Sequence, residues 1–130
     1  MRLLLDTHCW LWLQTEPERF SPDVLLELGD PATELFLSAA SAWEIGIKYA
    51  LGKLPLPEPP DVYVPSRLER SGTSPLAVSH RHALHVARLP NHHRDPFDRL
   101  LVAQAQLDGL TLMTSDPLLS PYEVQLRAVS

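Results

Sequence analysis

The stretch Asp95-Pro96-Phe97-Asp98-Arg99-Leu100-Leu101-Val102-Ala103-Gln104-Ala105-Gln106-Leu107-Asp108-Gly109-Leu110-Thr111-Leu112-Met113-Thr114-Ser115-Asp116 holds a complete helix-to-strand unit. Asp95-Pro96 is an N-cap followed by a proline whose missing N–H has no partner to lose in a first turn. Phe97, Leu100, Leu101, Ala103, Ala105 and Leu107 recur on a helical period until Gly109, which ends the helix. Thr111 to Thr114 reads as a strand, and Asp116 follows it with Pro117 in a turn. A helix feeding a short strand that ends in a carboxylate is a unit of parallel α/β architecture, whose ligands bind at the carboxyl ends of the strands.

The rest of the chain repeats the alternation. Met1 to Leu5 predicts a buried strand that runs into Asp6, then a helix from Thr7 to about Gln14, ended by Glu16-Pro17. Ser21-Pro22 opens a second helix that stops near Gly29, and Leu35 to Leu37 form a strand. Ala39 to Leu51 is helical, with Trp43, Ile47 and Ala50 at helical spacing and Gly52 as its cap. Leu54 to Pro60 contains four prolines and is a loop. A helix is expected from Asp61 to about Ser71 despite Pro65, a short strand from Pro75 to Val78, a helix from Ser79 to Arg88, and a polar loop from Leu89 to Asp95. Val124 to Val129 alternates like an edge strand. Strands alternating with helices predict one α/β domain over residues 1–130, with a mainly parallel sheet covered on both faces.

At 130 residues the chain closes a hydrophobic core without staples. Its single cysteine, Cys9, forms no internal disulfide, and no charged-then-apolar leader precedes the first strand, so a cytoplasmic location is expected. No apolar run approaches the length of a membrane span. The net charge of −5 comes from sixteen acids against eleven bases. With Asp6, Glu44, Asp98 and Asp116 set aside, twelve acids against eleven bases leave −1. Cations bound to those four would neutralise most of the excess, which removes an objection to a nucleic-acid substrate.

Asp6, Glu44, Asp98 and Asp116 each stand where a strand or turn meets a helix, and each has a plain second explanation. Asp6 caps the first helix, Asp116 caps the turn at Pro117, Asp98 suits a first helical turn, and Glu44 completes a capping box with Ser41. Taken together, four carboxylates gathered at a sheet edge repel one another unless a hard divalent cation shares them.

The segments Leu3-Leu4-Leu5-Asp6-Thr7-His8, Ser41-Ala42-Trp43-Glu44-Ile45-Gly46-Ile47-Lys48, His93-Arg94-Asp95-Pro96-Phe97-Asp98-Arg99 and Thr114-Ser115-Asp116 together resemble the PIN-domain ribonucleases, most of all the VapC toxins of type II toxin-antitoxin systems. The resemblance implies a three-layer α/β/α fold, Mg²⁺ or Mn²⁺ at an acidic pocket, and endonucleolytic RNA cleavage leaving a 5′-phosphate and a 3′-hydroxyl. It implies a homodimer and a cognate antitoxin protein as partner. It also maps Asp6, Glu44, Asp98 and Asp116 onto the family's metal-binding acids. Asp6 and Asp116, at neighbouring strand ends, are expected to hold the cation, with Glu44 and Asp98 completing the shell directly or through water. Asp95 has a sufficient role as N-cap, with support of the pocket as a second one.

Thr7 and Ser115 flank ligand positions, where a hydroxyl orients a bound water or caps a helix. Lys48, Arg94 and Arg99 are candidate phosphate contacts, although Lys48 also has ion-pair spacing to Glu44. His82 and His85 have metal-ligand spacing on one helix, weighed against a solvated helix face; His92 and His93 fall in the loop. Trp10, Trp12 and Trp43 are assigned to the core or a partner surface, with Trp10 and Trp12 lining an antitoxin groove. The alternative function is an inactive PIN-like module that binds protein or RNA without turnover. A phospho-acceptor receiver lacks its paired acids and lysine here, and Asp6-Thr7-His8 departs from the Asp-x-Asp of aspartyl phosphatases.

Overall fold

The computed structural model describes residues 1–130. Met1 is followed by β1 (Arg2–Leu5), whose Leu3, Leu4 and Leu5 are all fully buried. Alternation sends them to opposite faces. Leu3 and Leu5 pack with Trp10, Val24, Ile45 and Tyr63, whereas Leu4 packs with Leu101, Val102, Leu112 and Tyr122. One strand therefore anchors two cores, which is why an unbroken apolar run suits it.

After β1 come α1 (Thr7–Thr15), α2 (Pro22–Gly29), β2 (Glu34–Ser38), α3 (Ala39–Ala50) and α4 (Pro60–Arg70). Then follow β3 (Thr73–Leu76), α5 (His80–His85), α6 (Pro96–Asp108), β4 (Thr111–Met113) and β5 (Leu126–Arg127). The sheet order is β3-β2-β1-β4-β5, and every pairing is parallel. The chain winds outward from β1 through β2 to β3, then returns to the other side of β1 for β4 and β5. That reversal makes the β1–β4 boundary the topological switch point, and a crevice opens beyond the carboxyl ends of these two strands. Leu5 is opposite Met113 in the register, and Asp6 N–H donates to Met113 O at 2.9 Å.

The sheet is wholly parallel, and most element boundaries match the expectations above. Three details differ. The third strand lies at Thr73–Leu76, upstream of the expected Pro75–Val78, because Pro75 sits within the strand opposite Leu37. On an edge strand a proline leaves no ladder bond unmade when its nitrogen faces away from the neighbour. The helix after Ser79 ends at His85 and continues only as a 3-10 turn, Val86–Arg88. The last strand contracts to Leu126–Arg127 inside the expected Val124–Val129. α4 runs through Pro65, with Tyr63 and Val64 buried beside it.

Trp10 corrects the expected partner groove. It is fully buried, with its indole N–H donated to Thr73 Oγ1 at 3.2 Å, so it belongs to the core. Trp12 is half-buried under the Arg19 guanidinium, 4.7 Å from the ring centre. An apolar cleft of about 380 Å³ does lie beside these helices, lined by Leu13, Leu25, Leu28 and Leu35 with Arg67 and Arg70 at its edge. No helix is long and apolar enough to cross a membrane.

Candidate functional site

The switch point collects the acids from two helices and two strand ends. Asp6 leaves β1 in extended backbone and caps α1, its Oδ1 accepting the Cys9 N–H at 2.8 Å. It is only 5% exposed. Asp116 leaves β4 and caps the 3-10 turn Pro117–Leu119 through Oδ1, which accepts the Leu118 N–H at 2.9 Å. Its Oδ2 faces His93 Nε2 at 2.8 Å. Capping and pocket-facing roles therefore coexist, because a carboxylate has two oxygens and capping uses one.

Glu44 is different. α3 is capped by Ser38, whose Oγ accepts the Ala40 N–H, so Glu44 lies in the helix interior and the capping box with Ser41 does not form. Glu44 is 4% exposed, and both its oxygens are engaged. Thr7 Oγ1 donates to Oε1 at 2.6 Å, and Lys48 Nζ lies 2.7 Å from Oε2. Thr7 thus reaches the site as a donor to a second acid, with Ser41 Oγ 2.9 Å away.

Asp98 stands in the first turn of α6. Asp95 caps that helix, its Oδ1 accepting from Phe97 N–H at 2.8 Å and Asp98 N–H at 3.3 Å. The Asp98 carboxyl is pushed up from 3.8 to about 7, first by burial and then by the charges of Asp95 and Asp6, with Glu44 adding to them and His93 opposing. Burial also works against ionisation of Asp116, but the Leu118 N–H and His93 outweigh it and hold that carboxyl below its ordinary value. Neighbouring acids with divergent proton affinities mark a crowded carboxylate pocket. Asp95→Asn keeps a good capping acceptor while removing one of the two nearest charges. It is expected to lower the Asp98 pKa, read from the carboxyl ¹³C shift against pH; an unchanged midpoint would remove Asp95 from the electrostatics of the site.

The supporting residues divide. Ser115 is exposed, and the buried hydroxyl beside Asp116 is that of Thr114, whose Oγ1 accepts the Asp116 N–H at 3.0 Å. Arg99 does not present a free guanidinium. Its Nη1 donates to Pro90 O and Tyr122 Oη, and its Nη2 to Val86 O and Leu89 O, at 2.9 to 3.5 Å. Arg94 is exposed and lines an open cleft of about 740 Å³ with Asn91, His92, His93, Arg99 and Leu118. Trp43 is exposed and meets Phe97 edge-on at 5.3 Å between ring centres. His82 and His85 do not converge on a metal: they bond separately to Asp108 and Gln106. Cys9 is buried next to Asp6, and burial pushes its thiol pKa up, which keeps the sulfur protonated and outside any ligand set.

The residue absent from the list of sequence candidates is His93. Its Nε2 lies between Asp116 Oδ2 and Asp98 Oδ2, at 2.8 and 3.2 Å. Its one signal in the sequence was its place two residues before the Asp95-Pro96 helix start.

A wholly parallel α/β sheet with carboxylates at its switch point defines the class, and the sequence profile of the PIN domain matches residues 3–122. The chain belongs to the PIN domain family. It is 61% identical over 56 residues to Ribonuclease VapC16 of Mycobacterium tuberculosis, a segment covering 43% of this chain and 40% of that protein. The match thus spans less than half the length of this curated relative. The fold is similar to that of a chain of VapBC2 from Rickettsia felis, solved bound to a DNA fragment from its promoter, with a TM-score of 0.74 at 17% identity and full coverage of both chains. DNA-bound VapBC from Salmonella typhimurium gives 0.71 at 16% identity, covering 100% of this chain and 99% of that one. FitAcB from Neisseria gonorrhoeae gives 0.60 at 22% identity over 95% of each chain.

Proposed function

We propose that the protein is a Mg²⁺-dependent endoribonuclease, the toxin of a type II toxin-antitoxin pair acting in the cytoplasm, with Mn²⁺ as a substitute ion. The observation that carries this reading is the gathering of Asp6, Glu44, Asp98 and Asp116 at one strand edge, where burial first, and then the charges of Asp95, Asp6 and Glu44, push the Asp98 carboxyl up to about 7. The donor set fits a hard cation. It offers carboxylate oxygens, while the nearby thiol is protonated and His93 Nδ1 is taken up by the Asp95 backbone N–H.

In this reading Asp6, Asp98 and Asp116 hold the ion through the oxygens not used in capping, and Glu44 adds its charge while Thr7 and Lys48 fix its orientation. A bound divalent ion supplies charge neutralisation at the phosphate and a more acidic water. The carboxylates of Asp6, Asp98 and Asp116 would hold such an ion, and a carboxylate oxygen of the site would accept the proton of an attacking water. Arg94, on the adjoining cleft, contacts a flanking phosphate, and Lys48 stands behind Glu44. Arg99 contributes by holding the loop before Asp95.

The relatives' names support the partners. VapC16 is called a ribonuclease, and one neighbour in fold was solved as a toxin-antitoxin complex from Klebsiella pneumoniae. An antitoxin segment with apolar and acidic side chains fits the cleft of Leu13, Leu25 and Leu28 edged by Arg67 and Arg70. A homodimer is part of the same proposal. The test is incubation of purified protein with mixed cellular RNA in Mg²⁺, in Mn²⁺ and in EDTA. Cleavage with either ion and none in EDTA is expected. RNA left intact under all three conditions, but retained on the protein, would favour the inactive binding module.

A further inference from the structure

The structure determines which nitrogen of His93 carries the ring proton. Nδ1 receives the Asp95 backbone N–H at 3.0 Å, so it presents its lone pair and the proton of the neutral ring stands on Nε2. That N–H points between Asp116 Oδ2 at 2.8 Å and Asp98 Oδ2 at 3.2 Å. The three groups lie within 4.8 Å of one another, a spacing that suits three metal ligands. The tautomer argues otherwise, because a protonated nitrogen has no lone pair to give. His82 shows the same arrangement in plain structural use. Ser79 N–H donates to its Nδ1 at 3.0 Å, and its Nε2 meets Asp108 at 2.9 Å, tying α5 to α6.

The loop around His93 is held for this purpose by long-range bonds. Tyr122, 4% exposed, places its phenol oxygen to accept the backbone N–H groups of His92 at 3.2 Å and His93 at 3.0 Å. Arg99 donates to the same oxygen and to the loop carbonyls of Pro90 and Leu89. The polar segment is thus pinned at Leu89, Pro90, His92 and His93 itself.

We propose that His93 is a positioning residue: an Nε2–H donor that draws Asp98 and Asp116 to one point, is held in register by Tyr122 and Arg99, and stands outside the ligand set of the cation. The inference rests on the cation reading above. Asp98 comes from α6 and Asp116 from the end of β4, so without a shared donor nothing but the cation would bring the two carboxylates together.

The test pairs ring-nitrogen NMR of the full-length protein, in EDTA and in saturating Mg²⁺, with Mg²⁺ titration calorimetry. His93 is expected to carry its proton on Nε2 in both states. His93→Ala is expected to weaken Mg²⁺ binding about tenfold, the usual scale for a group that orients a ligand. His93→Gln, whose amide N–H groups replace the Nε2 donor, restores most of the affinity. Tyr122→Phe keeps the aromatic packing, speeds amide exchange at His92 and His93, and weakens Mg²⁺ binding in the same direction. A proton found on Nδ1 when Mg²⁺ is bound would make His93 a ligand and overturn the proposal, as would His93→Ala binding Mg²⁺ as tightly as the parent. A parent that bound no Mg²⁺ would sink the cation reading instead; the spectrum in EDTA then decides alone, and a proton on Nδ1 there overturns the donor role.

Discussion

Asp6→Asn is expected to lower Mg²⁺-dependent RNA cleavage by about a thousandfold while leaving the protein folded, a loss of about 4 kcal/mol in transition-state stabilisation. The two effects would separate because, in the proposed reading, Asp6 caps α1 through one oxygen and offers the other to the cation. An asparagine carbonyl still accepts the Cys9 N–H that starts α1, since Asn and Asp cap helices about equally well. It brings no charge to the crevice between β1 and β4. Rates should be compared at saturating Mg²⁺, so that lost affinity and lost turnover are distinguished. Activity within tenfold of the parent, with an unchanged melting temperature, would take Asp6 out of the cation-holding set.

Asp98→Asn is expected to raise the stability of the cation-free protein at pH 8. The native Asp98 carboxyl titrates near 7 against an ordinary value of 3.8. Between those values the folded state keeps a proton that the unfolded state has lost, so stability falls by about 1.4 kcal/mol per pH unit and then levels off above 7. The full decline is on the order of 4 kcal/mol. Asp116 acts in a different window. Its lowered pKa contributes stability above the ordinary carboxylate value, which is lost as the pH falls through the folded value, so it does not mask the Asp98 decline.

Denaturant unfolding in EDTA from pH 4 to 8 should therefore show a decline in the parent and a flatter profile in Asp98→Asn. Mg²⁺ should restore the parent at pH 8 by binding the native state, and do much less for the variant. Parallel profiles for the two proteins would contradict the electrostatic picture of the pocket.

Particular residues show why some of this was legible in the sequence. Asp6 and Asp116 could be placed because each interrupts a short apolar run, and a parallel strand has to end at the sheet edge where ligands sit. Asp98 followed from the Asp95-Pro96 helix start. Glu44 was the most ambiguous, because local spacing to Ser41 mimics a capping box; only the observed start of α3 at Ala39 removed that explanation. His93 and Tyr122 were illegible for a different reason. Their roles depend on bonds from His93 to Asp116 and from Tyr122 back to the loop, across more than twenty residues, and no local pattern reports such contacts.

Arg99 and Trp10 show the opposite failure. Position beside an acid suggested that Arg99 meets phosphate, yet its terminal N–H groups bind loop carbonyls and Tyr122. α1 is apolar on more than one side, so periodicity did not tell which tryptophan faced inward; Trp10 does. Pro75 read as a strand start because proline is rare inside a ladder, but β3 is an edge strand, where it is tolerated.

The most direct measurement is the chemistry of the cut ends on a defined single-stranded RNA that the protein cleaves. The proposed attack by a water at the pocket of Asp6, Asp98 and Asp116 is expected to leave a 5′-phosphate and a 3′-hydroxyl, and only when Mg²⁺ or Mn²⁺ is present. Ends carrying a 2′,3′-cyclic phosphate, or cleavage that persists in EDTA, would contradict a cation-holding carboxylate pocket.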